Sequence, residues 1–563
     1  MKIIVKKYFP CCTILSLVLI ISACTEKEEI DLKIKNIPEE INSHFVFSQI
    51  NNKLYYSSNK ENLFNIYELG LTHKLEKSIK LQTNLEQDVF VRSVSQDGNY
   101  LSFVSDDNGN QIYDIFIYKL KDHKAFNITK SPTIDDGNPV FSPKHNIVAF
   151  LSSGRLRLFD VEQRKFLYKS ERIFKSFSWS ENGDLVFLED SDSDIWMMEV
   201  GKFSYNKIWS SPSKSYVPKM FDNKNEILSF ISDHSGISSI YKLNILSKET
   251  LDSITFDSDI YSPSLKSNKI VEFRMNTKGS ILDYSLNSKG ELRKQIPQKN
   301  GVSYQFYSND SLRINLFAGI DLPKHFLING ESYPEKSKEE LEQEDSCSEI
   351  QPFITDEGVY HYLFLPKHKK IKGWVVWLHG GPHEQISPRY NVLMNYINKA
   401  GWGIIALNYL GSTGMGNSFE MRNIEDSKLK LDLQIDDISK NINSVKEKLK
   451  IEDEKFVILG VSYGAKLAHS YLKEYPNSVS KIIDFSGLPL FNTASDFNFS
   501  DKDFLFISGI KDFALNDLKI NMIDNYQRES YVELLILKNE GHYIRRRNSL
   551  TKSINKIIKF LEN

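Results

Sequence analysis

The chain has 563 residues, a formal net charge of −2, and 40% hydrophobic and 26% charged residues. That length exceeds one ordinary core, so two large domains are expected. The composition is that of a globular protein, and the near-zero charge gives no reason to expect a nucleic-acid partner or an acidic substrate.

The first residues read as a targeting segment. Lys2, Lys6 and Lys7 make a basic start, and Cys12 to Ser22 is an apolar run too short to span a bilayer comfortably. It ends Ile21-Ser22-Ala23-Cys24, which resembles the lipobox of bacterial lipoproteins. The resemblance implies that residues 1–23 are a signal peptide and that Cys24 is acylated and becomes the mature N-terminus. Several acyl chains on one residue anchor stably where one does not. The alternative is a plain secretory signal cut after Ala23. Residues 24–43, opening with Thr25-Glu26-Lys27-Glu28-Glu29, are expected to form an extended polar tether. The exported protein would thus be lipid-anchored to the cell envelope, on its periplasmic face or at the cell surface. Acidic residues just after such a cysteine resemble a surface-export signal of some Gram-negative lipoproteins. Of four cysteines only Cys347 stays in the mature body, so no internal disulfide can form there.

Residues 44–330 repeat one unit: a polar turn, a short strand ending in an aromatic, a second turn and another strand. The clearest copy runs Ser95-Gln96-Asp97-Gly98-Asn99-Tyr100-Leu101-Ser102-Phe103, followed by Asp106-Asp107-Asn108-Gly109 and an apolar strand from Ile112 to Leu120. Asp-Gly and Asn-Gly between apolar runs are hairpin signals, because such turns need φ > 0. The strand-ending positions 56, 103, 150, 187, 230, 273 and 316 are spaced 37 to 47 residues apart. A period of about 40–45 with several strands per unit points to a β-propeller of about seven blades rather than an irregular sandwich. Phe103, Trp179, Phe187 and Trp196 are expected to pack between blades.

Residues 331–346 are a polar linker, and the pattern changes in 347–563. Short apolar runs at 375–378, 404–407, 457–459, 482–483, 504–507 and 534–537 alternate with helical patterns such as Ile435 to Leu449. That alternation predicts a mostly parallel sheet covered on both faces. The third run leads into Gly460-Val461-Ser462-Tyr463-Gly464, and Ala465 to Tyr475 reads as a helix. Strand, sharp turn and helix around Gly-x-Ser-x-Gly form the nucleophile elbow of an α/β-hydrolase.

Catalytic groups in such a sheet sit at the carboxyl ends of strands. Serine needs a base to take its proton, and the base needs an acid to hold its tautomer. Only His469 and His542 follow Ser462. His469 lies on the helix that leaves the serine, so His542 is the candidate base. Asp512 stands at a strand end and is the candidate acid; its other reading is a helix N-cap. Asp501 and Asp503 precede that strand, and Asp517 falls in the next helix. The oxyanion needs donors, for which Tyr463 N–H and Gly381 N–H of the His379-Gly380-Gly381-Pro382 turn are placed.

Together, the propeller, His379 to Pro382, Asn408 to Gly416, Gly460 to Gly464, Gly509 to Asp512 and Gly541-His542 resemble the prolyl oligopeptidase family of serine peptidases. His-Gly-Gly-Pro-His is most similar to its acylaminoacyl-peptidase branch. The resemblance implies hydrolysis of short peptides through an acyl-enzyme at Ser462, with Asp512 and His542 as partners, donors at Gly381 and Tyr463, and a propeller that restricts access. The chain departs from the family in several places. Leu410 stands where the family has Arg, and position 379 is His where other branches have a tyrosine donor. Ser462 and Asp512 are only 50 residues apart, which leaves barely one crossover of ~10–12 residues between Gly487 and Lys502. The family's segment there helps line the pocket. Glu28-Glu29, Glu39-Glu40 and Glu339-Glu340 all lie outside the repeats, so no dipeptidyl specificity is assigned. Two other readings are an esterase on the same triad and a catalytically inactive, lipid-anchored propeller that binds a peptide or glycan.

No metal site or cofactor is called for: the twelve histidines include no His-Glu-x-x-His, and no cysteine pair survives in the mature chain. Arg545-Arg546-Arg547 reads first as a solvated face and second as a binder of a substrate carboxylate.

Overall fold

The computed structural model describes residue 34 and residues 37–563, apart from 72–76, 108, 132, 211–214, 223–225, 234–235, 237, 267–269, 288–290, 296–299, 321, 334–347, 368, 417, 422–425, 452–455 and 490–501. The expected signal peptide 1–23, Cys24, Glu28-Glu29, Glu339-Glu340, Cys347, most of the expected 331–346 linker and most of the short crossover before Lys502 lie outside the described residues.

Seven four-stranded antiparallel units follow one another at 41–80, 89–127, 136–173, 176–209, 215–254, 260–294 and 302–333. The last two touch through one parallel pair, Ile281 with Val302. Tyr56, Phe103, Phe150, Phe187, Phe230, Phe273 and Leu316 all fall in the second strand of their blades and are buried. They lie inside those strands rather than at their ends, a correction to the sequence reading. The polar turn marks where the strand begins, and the buried residue a few positions on meets a neighbouring blade. Phe103 packs with Tyr55 and Ile66 of the first blade, and Phe187 packs with Phe230 of the fifth. Trp179 and Trp196 pack, partly buried, on the cluster between the third and fourth blades.

The ring closes through side chains, since the first and last blades remain separate sheets. Phe45 meets Phe326 edge-on at 5.6 Å. The Gln305 amide accepts from Phe45 N–H at 2.9 Å and donates to Phe45 O at 2.9 Å. The propeller strands begin at Ile41 and end at Tyr333, so they extend past the expected 44–330 at both ends.

The C-terminal unit is one eight-stranded sheet. Its strands are β1 (Ser348–Ile354), β2 (Tyr360–Pro366), β3 (Trp374–Leu378), β4 (Gly403–Leu407), β5 (Phe456–Val461), β6 (Val479–Phe485), β7 (Asp503–Gly509) and β8 (Tyr531–Leu537). The order is β1-β2-β4-β3-β5-β6-β7-β8, parallel from β4 onward, with β1 and β2 antiparallel at one edge. All six apolar runs named above are strands; β1 carries no such run, whereas Tyr362 to Leu365 of β2 is a further apolar run that the sequence reading did not include.

Helices α1 (Val392–Lys399), α2 (Ser427–Leu449), α3 (Tyr463–Glu474), α4 (Asp517–Glu529) and α5 (Arg547–Glu562) cover the sheet. Ile438, Leu467 and Ile523, from α2, α3 and α4, share a core with Val376 and Ile458 on one face. Ile397 and Ile557, from α1 and α5, pack with Val375 and Leu459 on the other. Strands clad on both faces must be apolar at every position, which is why their sequences show runs rather than alternation.

The expected tether 24–43 needs correction in its second half. Ile34 pairs with Asn555 of α5 through both backbone groups, at 3.2 and 3.0 Å, and Ile37 is buried in the α1–α5 core. Arg547 donates to Ile37 O. Ile34 and Ile37 in an otherwise polar stretch find apolar cover on the C-terminal unit, so Ile34 and the described residues from Ile37 on are docked rather than extended in solvent.

Candidate active site

Ser462 sits between β5 and α3 with φ 52° and ψ −113°, a conformation costly for any residue with a Cβ. The turn is made by the two flanking glycines. A Cβ on Gly460 would lie 2.4 Å from Ala465 Cα, and one on Gly464 would lie 2.1 Å from Leu378 O. The elbow can therefore press α3 against β3 only with glycine at both places. Ser462 is further bracketed by the end of β6: its N–H donates to Phe485 O at 2.9 Å, and Leu488 N–H donates to Ser462 O at 3.1 Å.

The structure brings together the three side chains singled out in sequence. Ser462 Oγ is 2.8 Å from His542 Nε2, and His542 Nδ1 is 2.8 Å from Asp512 Oδ1. This geometry requires the tautomer in which Nδ1–H donates to the carboxylate and Nε2 accepts from the serine hydroxyl. Asp512 is buried and also accepts from Ala514 N–H at 2.8 Å. It is not a helix cap: α4 starts at Asp517 and is capped by Asn516. His469 is carried away, as its helix dictates, and is buried against Asp484 at 2.9 Å. Asp503 opens β7 at the far end from Ser462, and Asp501 lies outside the described residues.

Gly381 lines the same cavity as Ser462, and its φ of +112° suits glycine. The turn before it rests on a buried stack: His379 lies 4.4 Å from Tyr409, nearly parallel. Tyr409 donates its hydroxyl to His379 O at 2.8 Å, and His379 Nδ1 meets Gly380 O at 2.7 Å. Burial pushes the His379 imidazole down to about 4, so it is neutral near pH 7. Tyr463 N–H opens α3 directly after the serine. Its side chain points elsewhere and donates to Gln434 at 2.7 Å. At the departing position, Leu410 is held by its backbone alone: N–H to Asp437 at 2.8 Å and C=O from Gln434 at 2.8 Å.

A cavity of about 630 Å³ opens over Ser462 between the two units. The C-terminal unit contributes Ser462, His542, Val461, Phe485, Leu488 and Phe513, among others; the propeller side contributes Asn59, Pro323 and Lys324. Glu39 and Glu40 of the docked N-terminal segment also line it, which no repeat pattern could indicate.

The loop bearing His542 is clasped by the first two blades. Gln111 donates to Tyr543 O at 3.0 Å and accepts from Tyr543 N–H at 3.3 Å. Gly109 packs so closely on the loop that a Cβ there would lie 2.3 Å from Asn539 O. Arg545 donates to Tyr113 Oη and lies over the Phe90 ring at 4.9 Å. Arg547 donates to Lys60 O at 2.9 Å. Arg545 and Arg547 are thus an interdomain clamp, a correction to the solvated-face reading, while Arg546 N–H donates to Glu540 within the same loop. Backbone carbonyls at a domain interface need donors, and arginine supplies several from one side chain.

Residues 373–507 match the model of the alpha/beta hydrolase fold. The C-terminal unit is an α/β-hydrolase domain. Over 135 residues the chain is 27% identical to the acylamino-acid-releasing enzyme of Rattus norvegicus, a match spanning 23% of this chain and 17% of that enzyme. Among solved structures, a Mycobacterium tuberculosis puromycin-hydrolyzing peptidase superposes with a TM-score of 0.74 at 13% identity, covering 94% of this chain and 95% of that one. Pyrococcus horikoshii acylaminoacyl peptidase superposes with a TM-score of 0.68 at 16% identity, covering 94% and 97%. At these identities the structures share the fold of this chain, a propeller followed by an α/β-hydrolase domain.

Proposed function

We propose that the protein is a serine peptidase that hydrolyses short peptides through an acyl-enzyme on Ser462. The observation that carries this reading is the hydrogen-bonded chain from Ser462 through His542 to Asp512, in a cavity lined by both the C-terminal unit and the propeller. His542 Nε2 takes the hydroxyl proton as Ser462 Oγ attacks the scissile carbonyl carbon. Asp512 holds the imidazole tautomer and stabilises the imidazolium. Gly381 and Tyr463 N–H groups receive the oxyanion. The tetrahedral species collapses as His542 returns its proton to the leaving nitrogen, and water then attacks the acyl-enzyme by the same steps.

The domains' close fit supports access for short peptides and exclusion of folded proteins. Peptidase relatives in sequence and fold add weight to peptides over other acyl compounds, although the same groups would cleave esters. We also propose that Cys24 carries lipid and holds the enzyme at the cell envelope. Cys24→Ala should then release the protein from membranes on fractionation, and unchanged partition would refute the anchor.

Activity-based labelling tests the chemistry. Ser462 should react with a fluorophosphonate near neutral pH, and Ser462→Ala should abolish the adduct. His542→Ala should slow labelling by orders of magnitude because the base is gone. A folded wild-type protein that takes no probe would overturn the peptidase reading in favour of a binding protein.

A further inference from the structure

The inference rests on the acyl-enzyme reading above. In that reaction the leaving nitrogen must take its proton from His542 Nε2, which lies 2.8 Å from Ser462 Oγ. Such a transfer needs heavy atoms within ~2.6–3.2 Å. The leaving atom is therefore tied to the imidazole, and whatever it carries must extend along the His542 side of the cavity, away from the acyl part bonded to Ser462.

That side is built from two aromatic rings. Phe513 follows Asp512 and lies 4.5 Å from the His542 ring at an interplanar angle of 36°. Tyr543 follows His542 and meets it edge-on at 5.5 Å. Both line the Ser462 cavity, yet they are 70% and 61% exposed. Orienting His542 does not require such open rings, since Asp512 already fixes the imidazole through Nδ1. Large apolar side chains left open at a concave site mark contact area for a ligand.

The two rings are also held in place. Gln111 pins the Tyr543 backbone at both N–H and C=O, and the Arg545 guanidinium lies 5.3 Å from the Tyr543 ring. Phe513 sits within the turn in which Leu515 N–H donates to Asp512 O at 3.0 Å. Aromatic rings on so ordered a backbone offer rigid contact at low entropic cost.

We propose that Phe513 and Tyr543 form the subsite for the leaving part of the substrate, and that this subsite takes an apolar, preferably aromatic, side chain on the residue released with the new amino group. Phe513 would then determine specificity on the amino-product side, separately from the triad.

Acyl transfer reads this subsite directly. By microscopic reversibility an added amine that attacks the acyl-enzyme occupies the leaving-group position. One ester donor is used to form the acyl-enzyme, which is partitioned between water and either phenylalaninamide or glycinamide. Phenylalaninamide should be captured about tenfold more efficiently than glycinamide by the wild type, the size of one good aromatic contact. Phe513→Ala should bring that ratio down to about twofold or less, and Phe513→Tyr should retain it. A purely structural role would slow capture of both amines in proportion and leave the ratio untouched. An unchanged ratio in Phe513→Ala, or a wild-type ratio near one, would overturn the proposal. If Phe513→Ala does not fold, Phe513→Leu keeps the bulk without the ring and is judged by the same ratio. A wild type that forms no acyl-enzyme would overturn the peptidase reading and this subsite with it; acyl-enzyme formation without amine discrimination would overturn the subsite alone.

Discussion

Behind Ser462 lies a buried charge network whose removal should be felt in both stability and reactivity. Asp484 near the end of β6, Lys519 on α4 and His469 on α3 are all essentially inaccessible. Asp484 Oδ2 accepts from Lys519 Nζ and from His469 Nε2, while Oδ1 accepts from Gly487 N–H at 2.9 Å. The same carboxylate thus anchors the turn whose Phe485 O and Leu488 N–H bracket Ser462. Asp484→Asn is nearly isosteric but leaves the Lys519 ammonium buried without its counter-charge. Breaking a buried pair in this way costs ~3–5 kcal/mol. For a unit of this size each kcal/mol lowers Tm by ~2–4 °C, so the hydrolase-domain transition should fall by roughly 6–20 °C.

The double variant Asp484→Asn/Lys519→Met has no orphaned charge and should recover most of that loss. Scanning calorimetry measures the transition, and fluorophosphonate labelling at a temperature where both proteins are folded should be slower in the single variant. The network also has a pH signature. Burial would raise the Asp484 carboxyl, but Lys519 and His469 outweigh it and bring it down to about 2. A carboxyl depressed by folding contributes stability that is complete above its unfolded value of about 4 and is lost as pH falls toward 2. The wild type should therefore lose stability across that window more steeply than Asp484→Asn. A single variant melting within about 2 °C of the wild type, below the least shift allowed, would refute the reasoning. So would a double variant no more stable than the single.

Other outcomes follow from the site. Asp512→Asn should leave the circular dichroism spectrum intact and lower turnover on a peptide anilide by about 10⁴-fold, because the amide favours the wrong imidazole tautomer. Gly464→Ala drives a Cβ to within 2.1 Å of Leu378 O and 2.5 Å of His379 O, both backbone; it should cost at least the ~1–3 kcal/mol of an overpacked core and abolish labelling of any folded fraction. Gln111→Ala removes both hydrogen bonds to Tyr543; at ~1 kcal/mol net each, the His542 loop loosens and kcat should fall about tenfold, measured by steady-state hydrolysis. A Gln111→Ala enzyme with unchanged kcat would show that the propeller clasp does not position the base.

Much of the site was legible because its signals are local. Asp97-Gly98 and Asn182-Gly183 mark hairpins since those glycines must take positive φ, and they do, at +68° and +71°. Gly460 and Gly464 identify the elbow because a side chain at either place collides with backbone. The candidate base and acid came from chain order and strand ends, which a parallel sheet converts into one edge. Of the β1–β2 hairpin, β1 interleaves polar residues and one exposed face and carries no run, while the Tyr362 to Leu365 run of β2 is a strand signal in the sequence.

The sequence by itself determined the repeat, the alternation of strand and helix, and the identity of Ser462, Asp512 and His542 as candidates. Each rests on periodicity or on the stereochemistry of a few adjacent residues. Tertiary structure alone decided the long-range partners. Ile34 and Ile37 dock on α5 more than 500 residues away, Glu39 and Glu40 reach the Ser462 cavity, and Arg545 and Arg547 close on blades two and one. Polarity says only that such residues can face water. Whether they instead satisfy carbonyls at an interface, or whether Phe513 stands open beside a histidine, depends on which surfaces the chain folds against each other.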